Sequence, residues 1–311
     1  MRTVFFGTPE FAVPSLEAVA ASHEVAALVC QPDRPQGRSK KPVFPAAKVW
    51  AREHGIPVQQ PTKLNDGTFE AWLRGQAPEL GVVAAYGRLL KQPILDVPAK
   101  GWLNVHPSLL PRWRGPSPIQ TAILEGDVET GVTIMSMVLD MDAGDILQQE
   151  SMSIGPDETT EALSERLARM GARLLIEGID KVACGEARFT PQDPDAVTVC
   201  TLFEKEDGRI RWDRSAQRIH NRVRAAIPWP VAHCLYRGQV CRIHRSEVVQ
   251  EATAAAPGTI TRVEQDGVLV AAGEGQIAVR VFQAPGKRAM PMADFLRGHA
   301  MEAGERFEEI V

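Results

Sequence analysis

Two short runs carry the side chains best suited to acyl chemistry. The first reads Asn104-Val-His106-Pro-Ser-Leu-Leu-Pro111-Arg-Trp-Arg-Gly115, and the second Leu139-Asp-Met-Asp142-Ala-Gly-Asp145. Asn104 and His106 stand at i and i+2 of an extended segment, so both side chains leave the same face. Prolines and a glycine then hold an irregular backbone whose N–H and C=O groups are free to read the edges of a flat ligand. In the second run glycine permits a sharp turn that aims one carboxylate, Asp142 or Asp145, back at the first. An amide, an imidazole and a carboxylate together suit acyl transfer to an amine. The amide donates to a developing oxyanion, the imidazole moves a proton or stabilises that charge, and the carboxylate fixes the state of the imidazole. No serine or cysteine in a nucleophile elbow accompanies them, which favours direct transfer over an acyl-enzyme. Singly, each residue has a duller explanation: a structural histidine before proline, an asparagine satisfying loop backbone, an aspartate capping a turn. Their co-location is what counts.

The elements that must position these groups alternate. Val4–Gly7, Val25–Cys30, Leu80–Tyr86, Trp102–Val105 and Gly131–Val138 read as strands, dense in apolar residues without polar alternation, as strands buried on both faces are. Helical stretches lie between and after them at Pro45–His54, Gly67–Arg74, Pro118–Glu125 and Glu158–Lys181. The order predicts an α/β fold: a doubly wound, mostly parallel, Rossmann-like sheet with ligands beyond the carboxyl ends of the strands. The first strand ends Phe6-Gly-Thr-Pro-Glu rather than G-x-G-x-x-G, and no Walker A run occurs, which argues against a dinucleotide or a P-loop nucleotide. After a basic helix at Ser215–Ala225, the segments His233–Val249, Gly258–Ala272 and Gln276–Phe282 alternate apolar and polar residues between glycine turns, as in a small antiparallel OB-like β-barrel. The expected division is a catalytic domain at 1–189, a linker at 190–206 and a C-terminal domain at 207–311.

At 311 residues, with 44% hydrophobic and 24% charged residues, the chain reads as a globular protein of two domains. It has no apolar run of about 18 residues, and its N-terminus enters a strand directly, so no membrane contact and a cytoplasmic location are expected. The five cysteines (30, 184, 200, 234, 241) are scattered without a C-x-x-C pair, and the histidines show no ligand spacing, so neither a disulfide framework nor a metal site is expected. The net charge of −4 hides an asymmetry. Between Arg209 and Arg245 nine arginines face one acid, Asp213, a net +8 that leaves −12 on the rest of the chain. A second basic cluster, Arg34, Arg38, Lys40 and Lys41, lies near the N-terminus. Two basic patches on an acidic protein suggest a local footprint for phosphates, and few aromatics interleave them, which favours contact with a double-helical backbone over base stacking.

The two runs above, together with Gln31-Pro-Asp-Arg-Pro-Gln-Gly-Arg-Ser-Lys-Lys, Val83-Ala-Ala-Tyr-Gly, Ala225-Ala-Ile-Pro-Trp-Pro and Asp294-Phe-Leu-Arg-Gly, resemble the folate-dependent formyltransferases over nearly the whole chain. The basic loop and the Pro-Trp-Pro segment narrow the resemblance to the branch that acts on methionyl-tRNA. It implies formyl transfer from 10-formyltetrahydrofolate to the α-amine of initiator methionyl-tRNA, with no metal, by a monomer. Carried onto this sequence, it makes Asn104, His106 and Asp142 catalytic. It assigns folate binding to Tyr86, Gly87, Arg88, Leu89 and Leu90 and to Ser108, Leu109, Leu110 and Pro111. Arg38, Lys40 and Lys41 would approach the acceptor end of the tRNA, while Arg209, Arg211, Arg218 and Arg222 of the C-terminal domain would hold its backbone. The alternatives are a sugar-nucleotide N-formyltransferase, a hydrolase releasing formate, and an RNA-binding module on an inactive transferase fold.

Overall fold

The computed structural model describes residues 1–35 and 42–310. The chain divides into two compact units. The first comprises Met1–Pro118, Glu129–Met152 and Ser164–Thr201; the second comprises Ile119–Val128, Ser153–Leu163 and Leu202–Val311.

The sheet of the first unit contains β1 (Arg2–Gly7), β2 (Glu24–Val29), β3 (Val58–Gln59), β4 (Leu80–Ala84), β5 (Trp102–His106), β6 (Glu129–Ser136) and β7 (Ile146–Ser153). Their spatial order is β3-β2-β1-β4-β5-β6-β7. The intervening and following helices are α1 (Val13–Ser22), α2 (Ala46–Glu53), α3 (Thr68–Gly75), α4 (Pro118–Glu125) and α5 (Thr160–Cys184). The first five strands in this order are parallel, with Phe5 opposite Val82 and Val83 opposite Asn104. They are apolar on both faces because both faces are covered: Val4, Phe5, Phe6 and Val82 are fully buried. The Phe6 ring meets Phe69, Tyr86 and Trp102 edge-on at centroid separations of 6.0, 5.0 and 4.9 Å, an arrangement worth about 1 kcal/mol per pair beyond its burial.

β6 departs from the parallel pattern. It runs antiparallel to β5, with His106 opposite Thr133, so its carboxyl end points away from the end of β5. The loop 137–145 must therefore turn back to bring Asp142 to His106. Gly144 makes that return possible, since a Cβ there would lie 1.9 Å from the Ser136 carbonyl oxygen. β7 escaped the sequence pattern because it is a half-exposed edge strand with polar alternation, Ile-Leu-Gln-Gln-Glu-Ser-Met-Ser.

In the second unit, α6 (Ala216–Ala225) precedes β8 (Ala232–Tyr236), β9 (Gln239–Val249), β10 (Ile260–Val263), β11 (Val268–Ala271) and β12 (Gln276–Gln283), followed by α7 (Met292–Gly298) and β13 (Phe307–Glu308). The strand order is β10-β11-β12-β9-β8-β13, with antiparallel neighbours throughout. The two ends of this curled sheet meet. Ile260 N donates to Glu305 O at 2.7 Å and Phe307 N to Gly258 O at 2.8 Å, around an antiparallel bridge between Thr259 and Arg306. Phe307 stacks on Trp212 and lies near the Tyr236 and Phe282 rings inside the curl.

α6 begins where Ser215 Oγ accepts the Arg218 N–H at 3.3 Å, an N-cap that satisfies one orphan donor. Its buried face is unusually polar. Arg224, 6% exposed, donates to Asn221 Oδ1 and to the carbonyls of Gly155, Glu158 and Ile123. His220, also buried, bonds Pro156 O at 3.0 Å and Ser246 Oγ at 3.1 Å. These bonds draw segments 119–128 and 153–163 into the second unit.

Candidate active site

β5 delivers both Asn104 and His106, two residues apart on one strand, so the two side chains share a face. The His106 ring is 4% exposed and has an acceptor facing each nitrogen. Nε2 lies 3.1 Å from the Trp113 carbonyl, and Nδ1 lies 3.6 Å from Asp142 Oδ2. The same carboxylate oxygen accepts the Gly115 N–H at 2.9 Å. Trp113 and Asp142, the two residues facing the ring, both adopt left-handed backbone conformations, φ 60° and 51°. Non-glycine residues seldom do so, and such strain concentrates at functional sites. Gly115, between them, has φ 123°, and a Cβ there would lie 2.3 Å from the Cys200 carbonyl oxygen.

Burial dominates the electrostatics of His106 and lowers its pKa below the ordinary 6.5, with Asp142 and the Trp113 carbonyl opposing the shift. The imidazole is therefore neutral at pH 7, and its one ring proton is shared between two competing acceptors, the Trp113 carbonyl at Nε2 and the Asp142 carboxylate at Nδ1. The half-buried Asn104 carboxamide makes no hydrogen bond to another described residue, so its N–H donors are available to a ligand.

A strap missed by the sequence reading supports these loops. Residues 190–200, expected to begin a linker, bond along the loop at 111–114: Arg114 N donates to Thr198 O at 2.9 Å and Cys200 N to Arg114 O at 2.8 Å. Gln192 Nε2 donates to the Asp142 and Gly144 carbonyls at 2.8 and 2.7 Å, while its Oε1 accepts from Arg114 Nε at 2.9 Å. Thr198 Oγ1 accepts the Trp113 N–H at 2.9 Å. One strap thus braces both residues that hold His106. The signal was weak, because the polar, proline-interrupted run Pro191-Gln-Asp-Pro-Asp looks the same whether it braces a site or crosses between domains.

The expected folate-binding residues separate by burial. The side chains of Tyr86, Leu90, Ser108 and Leu110 are turned into the interior, with Ser108 Oγ donating to Arg112 O at 2.6 Å; burial pushes the Tyr86 phenol up to about 12. Any ligand contact they make runs through backbone. Leu89 is exposed, Gly87 turns at φ 80°, and Arg88 donates to the Pro61 and Thr62 carbonyls. Leu109 and Pro111 are half-buried. Nearby in the sequence, Val138, Leu139 and Met141 are exposed, and a recess of about 400 Å³ is lined by Gln92, Leu95, Trp102, Met137, Leu139 and Asp140. Sequence reasoning did not single out that recess.

Of the expected tRNA-binding residues, Arg38, Lys40 and Lys41 lie outside the described residues. Arg211, Arg218 and Arg222 share one recess, whereas Arg209 is not among its lining residues and pairs with Glu206 at 3.8 Å. Among the described residues no group of three or more His, Cys, Asp or Glu side chains has the geometry to hold a metal ion, and no helix is long and apolar enough to cross a membrane.

The Formyl transferase family profile matches residues 1–179, and that of the Formyl transferase C-terminal domain matches residues 203–300. The chain is 44% identical over 306 residues to the methionyl-tRNA formyltransferase of Moorella thermoacetica, covering 98% of each chain. This chain belongs to the methionyl-tRNA formyltransferase family. Within that family it is also 46% identical over 307 residues to the enzyme of Methylococcus capsulatus, covering 98% of this chain and 99% of the other. Its fold extends beyond the methionyl-tRNA formyltransferases: WlaRD, a sugar 3N-formyl transferase, superposes with a TM-score of 0.69 at 16% identity, covering 93% of this chain and 99% of that one.

Proposed function

We propose that this formyltransferase moves the formyl group of 10-formyltetrahydrofolate to the α-amine of initiator methionyl-tRNA by direct attack of the neutral amine, without a covalent enzyme intermediate. The observation that carries the reading is His106, set between Trp113 O and Asp142, on the strand face it shares with Asn104, whose amide engages no other described residue. This constellation lies in a chain 44% identical, end to end, to a curated methionyl-tRNA formyltransferase.

When bound, 10-formyltetrahydrofolate supplies an electrophilic formyl carbon. The residues fit such a donor: the recess beside Leu139 has apolar walls with a few polar groups, which suits a flat heteroaromatic ring. Tyr86–Leu90 and Ser108–Pro111 line the donor through their backbone and the exposed Leu89. Asn104 donates its amide N–H to the oxygen that gains negative charge as the amine attacks. As the amine nitrogen bonds to the formyl carbon and the bond from that carbon to N10 of the folate breaks, neutral His106 takes up the proton that the amine loses and passes it to the departing N10, and Asp142, fixed by Gly115 N–H, stabilises the transient imidazolium. An α-amine with a pKa near 7.7–8.0 has an appreciable neutral fraction at neutral pH, so the amine needs no covalent activation.

In this reading residues 1–189 catalyse with 190–200 bracing their loops, the stretch from there to 206 leads on, and 207–311 bind tRNA through Arg209, Arg211, Arg218 and Arg222. Arg38, Lys40 and Lys41 approach the acceptor end, and the protein works as a cytoplasmic monomer. The test is a product analysis with 10-formyltetrahydrofolate and, in separate reactions, methionyl-tRNA, an amino-sugar nucleotide, or water. Formylmethionyl-tRNA as the product supports the reading; a formylated sugar, or free formate at the same rate without tRNA, overturns it.

A further inference from the structure

Each peptide group on either side of Trp113 has a partner. Ser108 Oγ donates to the Arg112 carbonyl at 2.6 Å, and Thr198 Oγ1 accepts the Trp113 N–H at 2.9 Å. Two hydroxyls thus grip opposite ends of the one peptide unit that enters Trp113. The unit that leaves it is gripped as well. The Arg114 N–H donates to Thr198 O at 2.9 Å, while the Trp113 carbonyl receives the Cys200 thiol at 3.8 Å and faces His106 Nε2 at 3.1 Å. The run Thr198-Val199-Cys200 lies parallel to this loop through a bridge between Val199 and Arg114. Around such a bridge residues i and i+2 share a face, so Thr198 and Cys200 meet Trp113 while Val199 is left 67% exposed. Ser108 is backed in turn. It is fully buried, its carbonyl accepts from Thr133 Oγ1 at 2.7 Å, and Thr133 is the residue opposite His106 on β6. A non-glycine residue at φ 60° persists only where its surroundings over-determine it, and these contacts do so.

We infer that Ser108 and Thr198 are positioning residues of the reaction, which lock Trp113 in its left-handed conformation and so keep its carbonyl at His106 Nε2. The inference rests on the catalytic reading above and deepens it. Neither hydroxyl acts on the ring directly; both work through one peptide unit. If that unit relaxes, its plane swings and the carbonyl leaves Nε2. His106 then keeps Asp142 at Nδ1 but loses the acceptor that fixes the other side of the ring. Displacing a reacting group by about 1 Å can cost on the order of 100-fold in rate. The carbonyl also opposes the burial that lowers the ring pKa, so its departure makes the imidazole harder to protonate and a weaker base. Asp142 is the charged group facing the ring, and the Cys200 thiol is the titratable group at the carbonyl. The loop's own cations are turned elsewhere, Arg112 onto the Trp113 ring at 4.5 Å and Arg114 to Gln192. The Ser108 side chain thus serves the ring rather than the formyl donor.

The experiment compares the full chain with its Thr198→Val, Thr198→Ser and Ser108→Ala variants. It measures kcat and KM for methionyl-tRNA and for 10-formyltetrahydrofolate, and follows the His106 ring nitrogens by NMR across pH, with His106→Gln assigning their signals. Thr198→Val and Ser108→Ala lower kcat about tenfold and leave both KM values within about twofold, since the loss falls on the chemical step. In both variants the ring titrates at lower pH than in the parent. Thr198→Ser keeps an acceptor oxygen and returns kcat and the ring titration to parental values. A merely structural hydroxyl would lower the melting temperature and leave the ring titration unmoved. Should Thr198→Val fold poorly, Ser108→Ala decides from the other end of the same peptide unit. An unchanged ring titration, or a parental kcat, in the folded variants overturns the inference. A donor KM that rises more than kcat falls also overturns it and gives the loop to donor binding. The titration needs no turnover, so the two failures are read separately: a parent protein that makes no formylmethionyl-tRNA strikes the functional reading, and a ring indifferent to Thr198 and Ser108 strikes this one.

Discussion

His106 is the residue on which the chemistry turns, and its environment sets conflicting demands. Both neighbours of the ring are acceptors, which favours the imidazolium, while burial disfavours it and wins. A base that is neutral at working pH but faces a carboxylate takes a proton transiently and returns it. Removing any one of the three groups strands the others. Asn104→Ala, His106→Ala and Asp142→Ala are each expected to lower kcat/KM by about 100- to 1,000-fold, the usual cost of a lost oxyanion or proton-transfer partner. Single-turnover formylation measures it, and near-parental rates in all three would remove the proposed mechanism. The pH dependence has a defined sign. Because the folded pKa of His106 lies below 6.5, protonation of the ring adds its own loss to kcat only below that pH, on top of the decline that protonation of the amine sets below about 7.7–8.0. Asp142 raises the pKa, so in Asp142→Asn the acid limb of the residual kcat moves to lower pH. A limb that moves upward would show that Asp142 does not act on the ring through its charge.

Between residue and fold lie the loops, and here the sequence was informative in some places and silent in others. The buried parallel strands were legible because continuous runs such as Leu80–Ala84 have few alternatives, and the Asn104 and His106 spacing followed from strand geometry alone. The reversed direction of β6 was not legible: a buried antiparallel strand next to a parallel one has the same composition. Nor was the bracing strap, whose Gln192 acts through backbone carbonyls fifty and forty-eight positions away. Local pattern carries no trace of such distant bonds. Replacing Gln192 by Leu leaves the Asp142 and Gly144 carbonyls without their partner, at a cost of about 1–3 kcal/mol each where they stay dry. We expect Gln192→Leu to lower kcat about tenfold and to lower the melting temperature, while Gln192→Glu recovers less activity than Gln192→Asn, since a carboxylate cannot donate. Full activity in Gln192→Leu would show that the strap is not needed to place Asp142.

At the scale of the whole molecule, the arginine-rich stretch does not form one uniform positive face. Arg224 is buried and spent on backbone carbonyls, Arg237 pairs with Glu305 at 2.5 Å, and Arg245 pairs with Glu247 at 3.2 Å. Net charge counted along a sequence therefore overstates the charge presented to a partner, and even where arginines cluster at the start of α6, Arg211, Arg214 and Arg218 face Glu309, Asp213 and Glu125. Arg224→Met, which leaves several buried acceptors unpaired, is expected to cost about 3 kcal/mol of unfolding free energy, measured by urea titration; a loss below about 1 kcal/mol would show that water replaces the guanidinium. The seam where residues 258–260 meet 305–307 has a practical consequence. Shortening the polypeptide to residue 303 would unzip that seam and bare the open borders of β8 and β10, each then ready to recruit another copy. Such a truncated product should clump at concentrations where the intact protein stays dispersed.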